Sequence, residues 1–213
     1  MPGNKTNRRW ITEHGKDPFV RNAQRAGYRS RSAYKLLEID QRDRLFQRGD
    51  IVLDLGASPG GWSQVATERI GKNGRVIAVD LLSMEPLSGV VSLEGDIREQ
   101  QIQDRITELL AGDLARVVIS DMAPNITGSN IIDQPRVMQI AESIIELGDR
   151  FLAPDGNLLV KVFQGEGFDD FVKDIRSSFS KTRVRKPKAS RPSSREVYVL
   201  GLGYRQPHNY NGA

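Results

Sequence analysis

Short apolar runs alternate with longer segments of helical periodicity along most of the chain. The runs are rich in Val, Ile and Leu, and turn residues follow several of them. This pattern predicts seven strands, at 51–55, 75–81, 90–96, 115–123, 157–163, 182–186 and 196–203. Between these runs, apolar residues at helical spacing predict helices at 62–70, 99–111, 135–152 and 168–179, with a turn at 153–156.

Strands that alternate with helices predict an α/β fold, in which a doubly wound parallel sheet is covered by helices on both faces. We find no internal repeat and predict one domain over residues 28–205. Ligands of such sheets bind at the carboxyl ends of the strands. Residues that directly follow the strands are therefore the first candidates for a functional site.

The two ends of the chain differ from this pattern. Residues 1–27 show no apolar periodicity and are rich in Arg, Asn and Gly. We predict that they form a mobile basic arm, which becomes ordered only on a partner. A helix is expected to begin near Ser30 or Ser32, with Leu36 on its apolar side, and residues 206–213 are expected to form a short tail.

Composition excludes several kinds of site. The 213 residues include no Cys, and the two His residues, His14 and His208, lie near the ends. A disulfide scaffold, a thiolate zinc site and a Ser-His-Asp triad are therefore not expected, and no metal site is predicted. We also see no apolar run that could span a membrane and no signal peptide, so a cytoplasmic protein is expected.

Positive charge is concentrated in two stretches, although the net formal charge is only +4. Residues 1–35 carry nine Lys and Arg against two acidic residues, and residues 173–195 carry nine against one. Two basic stretches around a near-neutral middle indicate a polyanionic partner, and the alternative is ordinary solvated charge. Because guanidinium groups suit phosphate, we predict RNA contacts by Arg8, Arg9, Arg21, Arg25, Arg29, Arg31, Arg191 and Arg195.

A glycine-rich turn, DLGASPGGWSQ at 54–64, follows the first strand. Glycines there permit a ligand to approach the backbone, but Ser58 breaks the G-x-G-x-x-G spacing of dinucleotide sites. Asp80 ends the second strand, where it can accept hydrogen bonds from a ribose, and Asp96 follows the third, where it can accept from an adenine amine. A ligand with ribose and adenine but no pyrophosphate fits, which favours S-adenosylmethionine over the alternative of a purely structural turn.

Several motifs resemble the FtsJ/RrmJ family of RNA ribose 2′-O-methyltransferases. They are RSRSAYKL at 29–36, LDLGASPGGWSQ at 53–64, SDMAPNITG at 120–128, LVKVFQGEG at 159–167 and SRPSSREVYVLGLGY at 190–204. Their order is that of the family, and the likeness is greatest to its bacterial members that methylate a uridine of 23S rRNA. The resemblance implies a single-domain Rossmann-like fold that uses S-adenosylmethionine, with a mostly parallel seven-stranded sheet and a late antiparallel strand.

The resemblance extends the predicted cofactor site beyond the two aspartates. The predicted residues are Gly56, Ser58, Pro59, Gly60, Gly61, Trp62, Asp80, Leu81, Asp96, Ile97 and Asp121. The SDMAPNITG segment is also expected to border the cofactor. For the Trp62 side chain, contact with the cofactor and a position over the start of its helix both remain open.

The resemblance also implies a catalytic tetrad of Lys35, Asp121, Lys161 and Glu196. Two of these residues have support from the pattern alone, because Lys161 interrupts an apolar strand and Asp121 lies in the segment that ends the fourth strand. A snorkelling lysine and a turn-capping aspartate are the ordinary alternatives. Our hypothesis is that Lys161 accepts or stabilises the proton of a ribose 2′-OH and that Asp121 orients it. Lys35 and Glu196 would tune this pair and hold the ribose.

Three functions remain in competition. The first is 2′-O-methylation of 23S rRNA in the large ribosomal subunit or its precursor, by a monomer that does not bind membranes. The second is the same reaction on another RNA, such as a tRNA anticodon loop, and the third is RNA binding without catalysis by a ribosome assembly factor. The complete tetrad disfavours the third. The compact chain and its likeness to the bacterial rRNA enzymes favour the first.

Overall fold

The computed structural model describes residues 17–124 and 130–205, and side chains within the second range from residue 133. Its seven strands form one sheet in the order β3-β2-β1-β4-β5-β7-β6. The strands are β1 Ile51–Leu55, β2 Arg75–Asp80, β3 Val90–Glu94, β4 Ala115–Ser120, β5 Leu152–Phe163, β6 Phe179–Arg185 and β7 Glu196–Tyr204. The first five are parallel, whereas β7 is antiparallel to both β5 and β6. The predicted fold class is confirmed, including the late antiparallel strand.

Six helices belong to the described residues. They are α1 Pro18–Ala26, α2 Ala33–Asp43, α3 Gly61–Ile70, α4 Gln100–Leu110, α5 Asn130–Phe151 and α6 Phe168–Ser178. Neighbouring residues of each central strand point to opposite faces of the sheet. Val52 packs with α2 and α3 on one face, and Leu53 packs with α4, α5 and α6 on the other. Both faces are thus buried, which explains why these strands are continuous apolar runs.

Helix α1 lies where the sequence pattern predicts no element. Asp17 caps it by accepting a hydrogen bond from the Phe19 N–H at 2.9 Å, and Gly27 ends it with a φ of 77°. Pro18 occupies its first turn. An Asp-Pro start and a left-handed Gly end are recognisable helix signals. The prediction that all of residues 1–27 lack structure of their own is therefore wrong for this segment, whose short apolar face of Phe19, Val20, Ala23 and Ala26 also has helical spacing.

Strand β5 begins earlier than predicted. It starts at Leu152, which pairs with Ala115, so the residues predicted as a turn at 153–156 lie inside the strand. The register shifts between Ala115 and Val117, and Asp155 has a φ of 58°. The Pro-Asp-Gly sequence therefore produces an irregularity within the strand. Helix α5 also begins before its predicted start, at Asn130, with Pro135 inside it.

The directions of the strands bring several candidate site residues to one edge of the sheet. Asp80 ends β2, and Ser120 ends β4 directly before Asp121. Because β7 is antiparallel to β5, its first residue, Glu196, pairs with Phe163, the last residue of β5. The amino end of β7 and the carboxyl ends of the parallel strands therefore meet at the same edge.

Candidate active site

Lys161 and Asp121 form an ion pair at this edge of the sheet. The Lys161 Nζ lies 3.0 Å from the Asp121 Oδ1 and also donates to the Asp121 backbone carbonyl. The Lys161 side chain is only 9% exposed. Since a buried ammonium is costly without acceptors, these contacts explain how a lysine is tolerated within an apolar strand.

Lys35 and Glu196 form a second ion pair beside the first. Helix α2 carries Lys35, whose Nζ lies 2.7 Å from the Glu196 Oε1. The Ser190 hydroxyl is also within hydrogen-bonding distance of this oxygen, at 2.7 Å. All four residues of the predicted tetrad thus lie at one site, although they come from four different parts of the chain. Their catalytic roles stay predictions.

The Tyr198 hydroxyl joins the two ion pairs. It accepts a hydrogen bond from the Lys35 Nζ at 3.1 Å and donates one to the Asp121 Oδ1 at 2.7 Å. Tyr198 is fully buried. Burial and the nearby Asp121 and Glu196 carboxylates raise the pKa of Tyr198 well above its usual value. The hydroxyl therefore stays protonated, and an uninterrupted chain of polar contacts links Glu196 to Lys161.

Tyr198 is absent from the site predicted from the sequence. It follows Glu196 by two residues on β7, so both side chains point to the same face, and it pairs directly with Lys161 across the strands. A tyrosine within EVYVL is an ordinary strand residue by composition. Only the antiparallel register, which the sequence does not specify, shows that its hydroxyl meets the tetrad.

A cleft of about 570 Å³ opens beside Asp121. Seven of the predicted cofactor residues line it: Gly56, Ser58, Asp80, Leu81, Asp96, Ile97 and Asp121. Met122, Ala123 and Pro124 also line it, as expected for the SDMAPNITG segment, whose residues 125–128 lie outside the described ranges. Helix α5 contributes Gln139, Ile140 and Ser143, which the sequence pattern did not single out.

The two aspartates of the cleft present carboxylates in different settings. Asp80 accepts hydrogen bonds from the Ser58 and Leu82 N–H groups, each at 2.9 Å. Asp96 pairs with Arg98, whose Nε donates to both of its oxygens at 2.9 and 3.1 Å. Hydrogen bonds from Arg98 are the main cause that lowers the pKa of Asp96. Both groups are thus acceptors, and with the apolar lining of the cleft they fit a ribose and an adenine amine.

Pro59, Gly60, Gly61 and Trp62 do not line this cleft. The Trp62 side chain is 2% exposed, and its indole N–H donates to the Ser32 carbonyl at 2.9 Å. Of the two positions left open for this side chain, the structure shows the one over the start of α3. The Gly60 N–H donates to the Ala57 carbonyl at 2.7 Å, and the first helical hydrogen bond runs from the Gln64 N–H to the Gly60 carbonyl at 3.0 Å, so the N–H groups of residues 61–63 are the ones that a helix start leaves for a ligand.

The predicted RNA-binding arginines fall into distinct groups. Arg8 and Arg9 lie outside the described residues, and Arg21, Arg25, Arg191 and Arg195 are exposed. Arg31 pairs with Asp17 and donates to the Ala189 carbonyl. Arg29 donates to three backbone carbonyls. Arg29 and Arg31 are thus bound to other groups of the protein, and the side chains of Arg21, Arg25, Arg191 and Arg195 are accessible to solvent.

Neither a membrane helix nor a metal cluster is found in the part of the chain that the structure describes. No helix there is both long and apolar enough to cross a membrane. Within residues 17–124 and 130–205, no group of three or more His, Asp or Glu side chains is arranged to hold a metal ion. The site described above therefore consists of lysines, carboxylates and a tyrosine beside an apolar cleft.

Comparison with known proteins agrees with this geometry. Residues 28–204 match the FtsJ-like methyltransferases, and the chain belongs to that family, whose members use S-adenosylmethionine. It is 50% identical over 205 residues to the "Ribosomal RNA large subunit methyltransferase E" of Marinobacter nauticus, covering 96% of this chain and 99% of that one. The protein of the same name from Alcanivorax borkumensis is 53% identical over 93% of this chain and 96% of its own.

A solved structure shows the same fold. The crystal structure of a protein described as a ribosomal RNA methyltransferase from Plasmodium falciparum superposes with a TM-score of 0.78. It is 26% identical, and the match covers 84% of this chain and all of that one. The protein is thus an S-adenosylmethionine-dependent methyltransferase with the sheet order described above.

Replacement of Tyr198 by Phe tests the chain of polar contacts. Tyr198→Phe keeps the ring in the core but leaves Lys35 and Asp121 each without one partner, so we expect methyl transfer to slow by about tenfold or more. Cofactor affinity, measured by calorimetric titration, should stay near that of the wild type. Tyr204→Phe is the matched control, since its hydroxyl donates to Asp149 at 2.6 Å at the other end of β7. Equal single-turnover rates for the two variants would contradict the role of Tyr198.

Asp54, near the end of β1, should make the free energy of unfolding depend on pH. Burial raises the pKa of Asp54 to about 7, although the Ser63 hydroxyl donates to it at 2.6 Å. Between about pH 4 and pH 7 the folded chain keeps a proton that the unfolded chain releases, so Asp54 lowers the free energy of unfolding as the pH rises. Asp54→Asn should therefore gain stability over the wild type across this range, by up to about 4 kcal/mol.

Urea unfolding at several pH values measures this difference. The control is Asp113→Asn, because the Asp113 side chain is 65% exposed and pairs with Arg75 at the surface. Its difference from the wild type should change little over the same pH range. A constant difference for Asp54→Asn would show that Asp54 is ionised in the folded protein throughout.

Proposed function

We propose that this enzyme methylates the 2′-OH of a uridine ribose in 23S rRNA of the large ribosomal subunit. The observation that carries the proposal is the Lys161–Asp121 ion pair, because Asp121 also lines a cleft with the acceptors that an adenosyl group needs. The relatives that match almost the full chain are named as methyltransferases of large-subunit ribosomal RNA. Lysine and aspartate at this place suit a reaction in which a hydroxyl must lose its proton.

S-adenosylmethionine supplies a methyl group on a sulfonium, which is already a good leaving group. The protein must therefore orient a weak nucleophile and manage its proton. Asp121 takes up two donor positions of Lys161, at its carboxylate and its carbonyl, and thereby fixes the Nζ. An ammonium has three N–H donors, so one direction remains for the ribose oxygen. As an ammonium, Lys161 stabilises the developing negative charge on the ribose oxygen; as a neutral amine, it directs its lone pair there and takes the proton instead.

Lys35 and Glu196 lie on the far side of Tyr198 from this pair. In the proposed mechanism they keep the Asp121 carboxylate oriented through the tyrosine hydroxyl and offer polar groups to the target nucleotide. The two carboxylates assigned to the adenosyl group, Asp80 at the end of β2 and Asp96 after β3, lie outside the tetrad, although Asp121 lines the same cleft. Cofactor binding and proton handling can therefore be tested independently.

The alternatives are weaker on specific grounds. A tRNA substrate would require the same chemistry, and the names of the relatives favour rRNA. An assembly factor without catalysis would not need a buried lysine joined to a carboxylate beside the cofactor cleft. The cytoplasmic location and the monomeric state inferred from the sequence stay predictions.

Transfer of a labelled methyl group to unmodified RNA tests the substrate. We expect incorporation into large ribosomal subunits or free 23S rRNA and none into tRNA, with the label on a ribose 2′-oxygen. Incorporation into tRNA alone would overturn the proposed substrate but not the reaction. Lys161 can then be examined on the RNA that accepts the label.

Removal of the Lys161 ammonium should abolish the reaction and spare binding. We expect Lys161→Ala to lower the single-turnover rate by about 10²–10⁴-fold, with cofactor and RNA affinities near those of the wild type. Lys161→Arg keeps the charge but cannot be deprotonated. Substantial activity in the arginine variant would identify an electrostatic stabiliser, and its loss in both variants would favour a proton acceptor. A wild-type rate for Lys161→Ala would contradict either role.

The exposed arginines of α1 give a separate prediction about RNA. Replacement of Arg21 and Arg25 by Ala should weaken RNA binding and flatten its dependence on salt, because fewer counterions are released. Each lost phosphate contact should reduce the slope of log K against log salt by about 0.7–0.9. Arg105→Ala is the control, since Arg105 pairs with Glu108 on the same exposed face of α4. An unchanged slope in the double variant would show that α1 does not contact phosphate.

A further inference from the structure

The paired glycines of the turn after β1 make room for part of the protein itself. A Cβ at Gly61 would overlap the Ser30 hydroxyl, and a Cβ at Gly60 would lie 2.9 Å from the Arg29 Nη1 and 2.8 Å from the Met84 sulfur. Gly60 also has a φ of 106°, which residues with a side chain rarely adopt. The segment at 27–32, which leads into α2, therefore packs directly against this turn.

The guanidinium of Arg29 connects two segments that border the cleft. Its Nη1 donates to the Pro59 carbonyl at 3.2 Å and to the Glu85 carbonyl at 2.7 Å, and its Nη2 donates to the Pro86 carbonyl at 2.8 Å. Pro59 belongs to the glycine turn, whereas Glu85 and Pro86 belong to the loop between β2 and β3. Three of the five guanidinium donors are thus used on backbone groups of two different walls.

Both connected segments carry atoms that face the cleft. Ser58 directly precedes Pro59, and Leu81 begins the loop that contains Glu85; both line the cleft. Asp80 spans the same gap on the inner side, because it accepts from the Ser58 and Leu82 N–H groups. Arg29 therefore links the glycine turn to the β2–β3 loop through their carbonyl groups, and Asp80 links the same two segments through their N–H groups.

The position of Arg29 is itself fixed by α3. Gln64 accepts from the Arg29 N–H at 2.8 Å and donates to the Gly27 carbonyl at 2.9 Å. Tyr28 donates to Glu68 at 2.8 Å on the same helix. The guanidinium thus projects from an anchored backbone, so the chain from which it reaches the carbonyls is already ordered.

We propose that Arg29 is a positioning residue for the cofactor, which holds the glycine turn and the β2–β3 loop at the spacing that S-adenosylmethionine requires. It was predicted from its charge to contact RNA, and its three carbonyl partners favour this other role. The proposal rests on the assignment of the cleft to the cofactor. A planar guanidinium can bridge carbonyls of separate segments, whereas the compact ammonium of a lysine reaches fewer of them.

Calorimetric titration with S-adenosylhomocysteine tests the proposal without RNA or turnover. We expect Arg29→Ala to raise the dissociation constant by about tenfold, because the binding-competent spacing of the two walls becomes a minor state. Arg29→Lys should recover only part of the affinity. Arg105→Ala, which removes the same side chain from a surface ion pair, should bind as the wild type does.

RNA binding at several salt concentrations separates this role from a phosphate contact. For both Arg29 variants we expect the wild-type slope of log K against log salt at and above physiological ionic strength, where the Debye length of about 8 Å screens the charge of Arg29 from phosphates that it does not contact. A flattened slope with an unchanged cofactor dissociation constant would make Arg29 an RNA contact and overturn the proposal. No change in either quantity would overturn it as well.

A third readout excludes a general loss of structure. At saturating cofactor, Arg29→Lys should transfer methyl groups at a rate within about twofold of the wild type, because Arg29 makes no contact with the tetrad. A purely structural defect would instead lower the rate and the folded fraction together and leave the dissociation constant of the folded molecules unchanged. Failure of the proposed rRNA substrate would alter none of the titrations with S-adenosylhomocysteine.

Discussion

The carboxylate of Asp121 is the group on which the arrangement of the site depends. Its Oδ1 accepts from both Lys161 and Tyr198, and its backbone carbonyl accepts from Lys161 as well. A partly buried ion pair gains little net stability, but removal of one partner leaves an uncompensated charge and costs about 3–5 kcal/mol. The arrangement of the tetrad side chains therefore depends on each of its polar partners. These contacts therefore fix the positions of the side chains around Asp121, although they add little to the net stability of the fold.

The antiparallel strand β7 makes this set of partners possible. A parallel strand next to β5 would bring its own carboxyl end to the site, whereas β7 brings its amino end, with Glu196 and Tyr198 on one face. Helix α2 approaches from the same side and supplies Lys35. The Lys161–Asp121 and Lys35–Glu196 ion pairs, which come from different parts of the chain, are thus connected by the Tyr198 hydroxyl. The late reversal of strand direction therefore determines which side chains meet Lys161 and Asp121 at this edge of the sheet.

The sequence allowed the sheet, the glycine turn and the four tetrad residues to be predicted, each for its own reason. Apolar runs report burial on both faces of the sheet, and the tetrad follows from the family resemblance. Tyr198 could not be predicted because its importance depends on the register between β5 and β7. The carbonyl partners of Arg29 could not be predicted for a related reason, since charge alone does not reveal whether a guanidinium faces phosphate or backbone carbonyls. Helix α1 was not predicted, although its Asp-Pro start and Gly end are recognisable signals of helix ends.

The different partners of the arginines also affect how the basic stretches act at a distance. Arg31 pairs with the Asp17 carboxylate, so their charges largely cancel. Arg29 is bound by carbonyls, which have dipoles but no net charge, and it therefore still adds a full positive charge to the surrounding field. A residue can thus position the cofactor by contact and still help to attract RNA by its charge. Loss of that charge would slow the approach of RNA at low salt even where no phosphate touches the side chain, and the effect would fade once the Debye length is short, about 8 Å at physiological ionic strength.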